Sequence, residues 1–581
     1  MTGSEAVPTL QEFAFLADGE RGALIGPAGD VAWQCFPSWA DAPVFGRLVG
    51  MPGTYQVTPL GRYTWGGYYE DGSLIRRSRW ILTGGAIVES REALALPGKR
   101  DRAVLLRRVQ ALEGRVRLLA RHAPQGCDGE PLPLSGRSPE GCWQWQGDGR
   151  WLRWSGASSA QPDGEQGAAL EFELGAGEHR DLVLEISTRP FDDPTPPPDF
   201  LWEETEAAWK RMVPRFDHCA RSSEVRLTYA VMRGLTSSSG GMVAACTTSL
   251  PERVDSGRRY DYRYVWIRDQ SYAGLAAAAA GDERLLDPTI RFIQDRLLED
   301  GAGLRPFYTA GGAPAPDQRT IDVPGYPGSP SMLVGNQATS QFQLDVFGEA
   351  LLLLSAGARM GILEAEGWAA AERAASAIEQ RWQEADAGIW ELGLRWWTHS
   401  RLICAAGLRA IAQRQPGGDL GPRWLALADR LVAETGRRSL HRDGWWQRSP
   451  DDPEPDASLL LAGVRGAVGQ EDPRTPRTLQ VVERRLVSRG HCWRFRPDAR
   501  PLGDAEGAFN LCGFWMVLAL LQQGRIQDAV RWFERATGTT GTSGLFAEEY
   551  DVTQQQLRGN LPQAFVHAGF MECAARIGAS A

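Results

Sequence analysis

The sequence predicts two large domains, an N-terminal antiparallel β-sandwich followed by a catalytic (α/α)6 barrel. Two observations carry this prediction: the apolar spacing changes once from strand-like to helical, and the helical half alternates long and short connections. A chain of 581 residues is also too long for a single ordinary domain. We place the sandwich at residues 1–195, a linker with a helix at 196–224 and the barrel at 225–581.

The N-terminal part carries short runs that are typical of strands. Tyr55–Val57, Leu170–Leu174 and Leu182–Ile186 are rich in β-branched and large apolar residues, and Gly, Pro, Asp and Asn separate such runs. The proline-rich stretch Phe191–Pro198 cannot continue a sheet, and Leu201–Met212 after it has the spacing of a helix. The sandwich is therefore expected to end before this stretch.

The helical half contains about twelve segments with apolar residues at helical spacing. Every second connection is tight, as at Gly281-Asp282 and Gly524-Arg525, and the intervening connections are long. If successive helices run antiparallel around a closed double ring, all long loops emerge at one end. That end of the barrel is the predicted site.

Acidic and aromatic motifs lie in these long loops. Gly388–Glu391 and Ala547–Asp551 supply carboxylates, Tyr262–Asp269 supplies aromatic rings with an Arg-Asp pair, and Gly444–Trp446 supplies tryptophans. Taken singly, each has an ordinary structural explanation as a solvated loop, an ion pair or a core side chain. Two carboxylates beside aromatic rings are, however, what hydrolysis of a sugar bond requires. Their shared position predicts a sugar-binding rim.

Composition excludes several other function classes. The formal net charge of −9, without clustered cations, argues against a nucleic-acid partner. The only lysines, Lys99 and Lys210, precede the helical half, so lysine-based covalent chemistry is not expected there. The nine cysteines and seven histidines are scattered, so we expect no metal and no cofactor. No long apolar run suggests a membrane span, and we expect a cytoplasmic protein; a homo-oligomer stays open.

Four segments together resemble a known family. They are Tyr262–Asp269, the preceding Ala245–Glu252, the N-terminal Gly26–Pro37 and the C-terminal Gly559–Phe565. This combination resembles glycoside hydrolase family 15, which holds glucoamylases, glucodextranases and prokaryotic trehalases. The prokaryotic members pair a β-sandwich with an (α/α)6 barrel, so the resemblance implies the same fold for nearly the whole chain.

The resemblance also implies roles for individual residues. Glu391 corresponds to the general acid and Glu548 to the general base. We expect burial beside Trp390 to raise the pKa of Glu391 above that of Glu548, which would keep the acid protonated. The residues expected to bind the sugar are Tyr262, Trp266, Arg268, Asp269, Trp390, Glu549 and Trp446.

The implied reaction is inverting, exo-acting hydrolysis of an α-glucoside with release of β-glucose. The sequence departs from the family pattern at Gly393, where an arginine is usual, and at Arg401 and Ala405. These departures favour a disaccharide or short gluco-oligosaccharide as substrate, as for a glucoamylase-like enzyme or an isomaltose or dextrin glucosidase. Trehalase is the alternative within the family. A disaccharide phosphorylase or a non-catalytic sugar-binding protein is the alternative from another class, and Glu548 in a base-like motif speaks against the phosphorylase.

Overall fold

A computed structural model describes residues 8–253, 258–327, 329–415, 417–496 and 507–580. Residues 1–7 of the predicted sandwich domain and short stretches of the predicted barrel, including residues 497–506, lie outside the described residues. No helix within the described ranges is both long enough and apolar enough to span a membrane.

The N-terminal part is built from antiparallel strands in three sheets. Four strands, β1 to β4, form a small sheet in sequence order; a second sheet has the order β14-β15-β10-β5, and an eight-stranded sheet has the order β11-β12-β13-β16-β9-β8-β7-β6. The strands are β1 Ala14–Ala17, β2 Gly22–Ile25, β3 Val31–Cys35, β4 Pro43–Phe45, β5 Thr54–Pro59, β6 Tyr63–Tyr69, β7 Arg76–Leu82, β8 Ile87–Leu94, β9 Arg102–Glu113, β10 Val116–Ala123, β11 Leu134–Arg137, β12 Trp143–Gly147, β13 Arg150–Ser155, β14 Gln161–Asp163, β15 Gly167–Leu174 and β16 His179–Ser187.

The small sheet lies between the two halves of the molecule. Along β1, Ala14 and Leu16 pack into the core of the β-rich part, whereas Phe15 packs into the core of the helical part. Because side chains of a strand alternate between faces, a strand buried on both sides is apolar throughout. Trp33 of β3 reaches across the junction, and its indole N–H donates to the carbonyl of Cys246 at 2.9 Å.

The C-terminal part is helical. A helix precedes the barrel, and within the described residues twelve more follow it, as the apolar spacing predicted. The helices are α1 Pro198–Met212, α2 Ser222–Leu235, α3 Ile267–Ala279, α4 Glu283–Asp300, α5 Asp345–Met360, α6 Ala365–Arg381, α7 Thr398–Ala412, α8 Leu420–Ser439, α9 Leu461–Val464, α10 Arg474–Arg485, α11 Asn510–Gln522, α12 Ile526–Thr537 and α13 Ala564–Ser580.

Six helices close an inner ring. Each of α3, α5, α7, α9, α11 and α13 contacts the next, and α13 returns to α3. The even-numbered helices α2 to α12 lie outside this ring, which gives the predicted (α/α)6 barrel. Inner helices such as α11 are buried almost all round, whereas the outer α12 is buried along one face only.

The connections alternate as the sequence predicted. Links from an inner to the following outer helix are short, whereas the six links from an outer to an inner helix are long. The long links carry nine short strands in the described residues: β17 Val265–Trp266, β18 Phe307–Tyr308, β19 Arg319–Ile321, β20 Met332–Val334, β21 Val487–Ser488, β22 His491–Cys492, β23 Ala508–Phe509, β24 Glu549–Asp551 and β25 Gln556–Arg558.

The predicted domain boundaries at residues 195 and 224 stay predictions. The last strand of the β-rich part ends at Ser187, and the first barrel helix begins at Ser222. Helix α1 between them packs on the large sheet, where the Thr205 hydroxyl accepts a hydrogen bond from the Leu96 amide at 3.1 Å. We therefore regard α1 as part of the contact between the two halves.

A buried ion pair fastens the barrel to the β-rich part. Arg263 and Asp261 are 2.7 Å apart with side chains at most 1% exposed. The same guanidinium donates to the carbonyl of Asp41 at 3.1 Å, across the junction. Burying a guanidinium is favourable only when its charge and its N–H groups find partners, so both halves are needed to satisfy it.

We predict that Arg263→Leu lowers the free energy of unfolding by about 3–5 kcal/mol, because it leaves the Asp261 carboxylate buried without a cation. Chemical denaturation followed by circular dichroism measures the change. The matched control is Arg117→Leu, which removes an exposed pair with Glu171 whose side chains are 66% and 60% exposed. The control is expected to change stability by less than about 1 kcal/mol, and equal losses in both variants would contradict the assigned role.

Candidate active site

A cavity opens at the end of the barrel where the long loops emerge. Among the described residues, five of the six long loops contribute to its wall, and the loop between α8 and α9 does not. The lining residues are Ala244, Glu252, Arg258, Tyr260, Tyr262, Trp266, Arg268, Asp269, Gln337, Ile389, Trp390, Glu391, Leu392, Arg494, Phe495, Phe509, Leu511, Trp515, Glu548, Gln563 and Phe565.

Glu391 is held in a tight turn by polar contacts. The Trp266 indole N–H donates to Glu391 Oε1 at 2.6 Å, and Arg268 Nη1 lies 3.8 Å from the same oxygen. Arg268 also donates to the carbonyl of Ile389 at 2.8 Å. The backbone of Glu391 has φ +56°, in the left-handed region that costs a non-glycine residue free energy. Surrounding contacts are needed to maintain such a conformation, which is common at functional sites.

Glu548 lies in the long loop between α12 and α13, immediately before β24, and is 4% exposed. The Tyr262 hydroxyl donates to its two oxygens at 2.9 and 3.1 Å. Gly559 approaches from the side with φ +82°, and a Cβ there would lie 3.2 Å from the Cβ of Glu548. The glycine in the Gly559–Phe565 motif therefore leaves room for this carboxylate.

The two carboxylates are held by rings of one segment. Tyr262 and Trp266 are four residues apart, and their ring centroids are 5.4 Å apart in an edge-to-face arrangement. Since Tyr262 bonds Glu548 and Trp266 bonds Glu391, this ring pair sets the relative position of the carboxylates. Trp266 is itself stacked on Phe307 at 4.5 Å, which fixes its plane.

Arg268 and Asp269 form an ion pair in the cavity wall. Their side chains are 3.1 Å apart and are 11% and 1% exposed. Burial raises the pKa of Asp269 to about 6, and the neighbouring Arg268 acts in the opposite direction. The pair offers N–H donors and carboxylate acceptors to one ligand, the combination that suits vicinal hydroxyl groups.

Electrostatics at the two carboxylates differ from the expectation. Burial raises the pKa of Glu548 well above its usual range, and the negative charge of Glu252 acts in the same direction. The Arg494 and Arg268 charges and the Tyr262 hydrogen bond oppose this rise. Glu391 has a side chain that is 22% exposed. The expectation that burial acts mainly on Glu391 was therefore wrong, because Glu548 is the carboxylate enclosed by the β23–β25 hairpins.

The structure brings six of the predicted residues to the cavity besides Glu391. These are Tyr262, Trp266, Arg268, Asp269, Trp390 and Glu548.

Two predicted sugar-binding residues lie elsewhere. Trp446 is fully buried under α10, where its amide donates to the Thr478 hydroxyl at 3.1 Å and Arg474 covers its ring. Glu549 follows Glu548 on an extended strand, so its side chain points the other way. It pairs with Arg494 at 3.1 Å and is not among the lining residues. Neither position supports direct sugar contact.

The charged wall residues that the sequence reasoning missed include Glu252 and Arg494. They are 3.3 Å apart, and Arg494 also lies 4.7 Å from the centre of the Phe509 ring. Arg494 stands in a long loop between Trp493 and Phe495, so the loop-position argument applied to Tyr262–Asp269 could also have found it. Glu252 stood within the resemblance motif, but the motif alone gave no reason to aim its side chain inward.

Comparison with known proteins places the chain in a family. The family model for glycosyl hydrolases family 15 matches residues 227–575, more than half of the chain. A second model, described as trehalase-like, N-terminal, matches residues 1–125. The chain therefore belongs to glycosyl hydrolases family 15 and is a glycoside hydrolase.

Curated relatives and a solved structure agree with this assignment. A trehalase of Mycobacterium tuberculosis is 29% identical over 98% of this chain and 90% of its own length. A trehalase of Mycolicibacterium smegmatis is 28% identical over 98% of this chain and 91% of its own length. The crystal structure of a bacterial glucoamylase complexed with acarbose covers 99% of this chain and 96% of its own chain, with a TM-score of 0.68 and 13% identity. The structural similarity confirms the fold.

We predict that Trp446→Phe leaves kcat/KM within about twofold of the wild type, because the ring lies outside the cavity. The same variant should lower the free energy of unfolding by about 1–3 kcal/mol, less than full truncation of a buried aromatic ring. Steady-state kinetics and thermal unfolding measure the two effects separately. A large rise in KM with unchanged stability would return Trp446 to the binding site.

Proposed function

We propose that the protein is an inverting α-glucoside hydrolase whose substrate is α,α-trehalose. The observation that carries the hydrolytic part is the pair of carboxylates, Glu391 and Glu548, facing one cavity from two loops and held by adjacent rings. The trehalases among the curated relatives, which match nearly the whole chain, support the choice of substrate.

In the proposed mechanism Glu391 donates its proton to the glycosidic oxygen as the bond to the anomeric carbon breaks. Glu548 takes a proton from a water molecule that attacks the opposite face of the sugar. The Tyr262 hydroxyl, which donates to Glu548, orients this carboxylate. Sugar in the cavity would complete the burial of Glu391, which is partly exposed in the free protein.

The Arg268–Asp269 pair is proposed to hold the non-reducing glucosyl unit. Its guanidinium is fixed by the carbonyl of Ile389, in the turn that carries Glu391. A sugar bound by this pair is therefore placed relative to the acid by the same side chain, which is how an enzyme converts binding into orientation. Trp390, in the adjoining wall, offers a flat apolar surface to the ring.

Two of the three family departures, Arg401 and Ala405, lie away from the cavity, whereas Gly393 is exposed just beyond Glu391. Arg401 is fully buried, where it pairs with Asp386 and donates to the carbonyl of Trp382 at 3.1 Å. Ala405 lies on α7 and is fully buried. Because neither Arg401 nor Ala405 lines the cavity, these two departures affect packing, and with the curated trehalases in view we rank trehalose ahead of the short gluco-oligosaccharides that the sequence reasoning favoured. Hydrolysis of isomaltose or short dextrins is kept as the second candidate. Leu392 lines the cavity and Leu394 is exposed, so the chain just beyond Glu391 presents apolar side chains where the sequence departs from the family pattern.

The substrate is tested by comparing kcat/KM for trehalose, maltose, isomaltose and a short dextrin on the purified protein. We expect trehalose to give the highest value by at least about tenfold. A higher kcat/KM for isomaltose or dextrin would contradict the trehalase proposal and support the second candidate. Turnover that requires inorganic phosphate as co-substrate and yields glucose 1-phosphate would contradict hydrolysis altogether.

We predict that Glu391→Gln and Glu548→Gln each lower kcat by about a hundredfold to ten-thousandfold, the range of general acid or base catalysis. Both substitutions keep the size of the side chain and one acceptor oxygen, so trehalose should still bind, as measured by calorimetry. Glu171→Gln, on strand β15 of the β-rich part with a side chain that is 60% exposed, is the control and should leave kcat unchanged. Retained turnover in either cavity variant would contradict the two-carboxylate mechanism.

The acidic limb of the kcat/KM profile should report the ionisation of Glu548. Because burial and Glu252 raise the pKa of this group, activity should be lost on acidification at a higher pH than the usual glutamate value of about 4.3. Glu252→Gln removes one raising charge, so its acidic limb should move to lower pH. Tyr262→Phe removes a hydrogen bond that lowers the pKa, so its limb should move to higher pH. Limbs that coincide in all three proteins would exclude Glu548 as the titrating group.

A further inference from the structure

We propose that Asp456 is a positioning residue, which fixes the indole of Trp390 and, through it, the turn that carries Glu391. This inference rests on the proposed role of Glu391. Asp456 does not line the cavity; it lies in the long loop between α8 and α9, behind the cavity wall. The loop that contributes no wall residue therefore supports the wall from behind.

The contact between the two side chains is direct. The Trp390 indole N–H donates to both carboxylate oxygens of Asp456, at 2.9 and 2.8 Å. Trp390, a residue of the cavity wall, is thus hydrogen-bonded to the carboxylate of Asp456, which is 3% exposed. A hydrogen bond to a buried carboxylate is stronger than one between neutral groups, so it restrains the ring effectively.

Asp456 is itself anchored on the side away from Trp390. It begins the short helix Ala457–Leu460, and Oδ1 accepts from the amide and the hydroxyl of Ser458 at 2.9 and 2.7 Å. Arg448 Nε lies 3.5 Å from Oδ2 and balances the charge. With its position set by the helix start and its charge compensated, the carboxylate is a fixed point against which the indole can be held.

The turn of Glu391 needs such a fixed point. Three consecutive residues are each restrained by a hydrogen bond from or to a different side chain. Arg268 restrains Ile389, Asp456 restrains Trp390 and Trp266 restrains Glu391. Two of these restraints come from the segment at the start of α3, and Asp456 provides the one from the opposite side. Since Glu391 has a left-handed backbone, loss of one restraint gives the turn a route to a less strained conformation with the carboxylate misplaced.

The aromatic packing around Trp390 would not hold the ring in one orientation by itself. Its ring lies 5.3 Å from Phe509 and 5.7 Å from Trp515, and Arg494 lies 5.6 Å from its centre. These contacts restrain the plane of the ring, but contacts of this kind depend little on where the indole nitrogen points. The hydrogen bond to Asp456 selects the orientation.

A double-mutant cycle tests the proposal on the full chain. Asp456→Leu removes the acceptor, Trp390→Phe keeps an aromatic ring and removes the donor, and the double variant removes both. The measured quantity is kcat/KM for the glucoside that the wild type hydrolyses fastest, at a temperature where all variants are folded. We expect Asp456→Leu to lower kcat/KM about tenfold to a hundredfold in the wild type, mainly through kcat, and to have no further effect in the Trp390→Phe background.

Two further variants separate positioning from general stability. Asp456→Asn retains an oxygen that can accept from the indole and should restore kcat/KM to within a few-fold of the wild type. Asp282→Leu is the matched control: Asp282 is a buried acidic cap whose side chain accepts from the Leu285 amide at 2.9 Å, at the start of α4. It should lower the melting temperature without changing kcat/KM by more than about twofold.

The proposal is overturned if Asp456→Leu lowers kcat/KM by the same factor with and without the indole nitrogen, or if Asp282→Leu reduces activity as much. If Asp456→Leu does not fold, the cycle is run with Asp456→Asn, whose smaller loss should again vanish in the Trp390→Phe background; a loss that persists there overturns the proposal. Failure of the catalytic assignment can be distinguished from failure of this proposal. Failure of that assignment appears as retained turnover in Glu391→Gln, while the coupling between Asp456 and Trp390 is read without it.

Discussion

The architecture of the candidate active site depends on one short segment, Tyr262 to Asp269, which makes polar contacts on both of its sides. Toward the cavity, Tyr262 bonds Glu548, Trp266 bonds Glu391, and Arg268 with Asp269 forms the ion pair. Away from the cavity, Arg263 is buried against the β-rich part. Because neighbouring side chains of an extended segment point to opposite sides, one strand-like stretch can connect the site with the second half of the molecule. The β-rich part therefore helps to position the site, although none of its described residues lines the cavity.

Much of the fold could be predicted because it follows from repeated local patterns. Alternating long and short connections between successive antiparallel helices are sufficient to place the long loops at one end of a double ring, and the structure has that arrangement. The position of Glu391 and Glu548 beside one cavity was predicted in the same way, since the argument needed only the loops in which they lie. The predicted end of the β-rich part before the linker also follows from composition, and the last strand of that part ends at Ser187.

The details that failed depend on side-chain direction and on burial, which loop position does not determine. Trp446 lies in a long loop but turns into the core under α10, and Glu549 follows Glu548 but points to the other face of the strand. The expected difference in burial between the two carboxylates was reversed, since the hairpins around β24 enclose Glu548. Asp456 belongs to none of the motifs discussed above. It meets Trp390 only because the fold brings together two loops that are distant in the sequence.

The central claim is that the two carboxylates act from opposite faces of the scissile bond. The most direct test is proton NMR of trehalose hydrolysis, recorded early enough that mutarotation has not equilibrated the products. Inversion at one anomeric carbon, with the other sugar leaving intact, predicts equal initial amounts of β-glucose and α-glucose. Initial release of α-glucose alone would mean retention, and it would contradict the single-displacement mechanism and the roles given to Glu391 and Glu548.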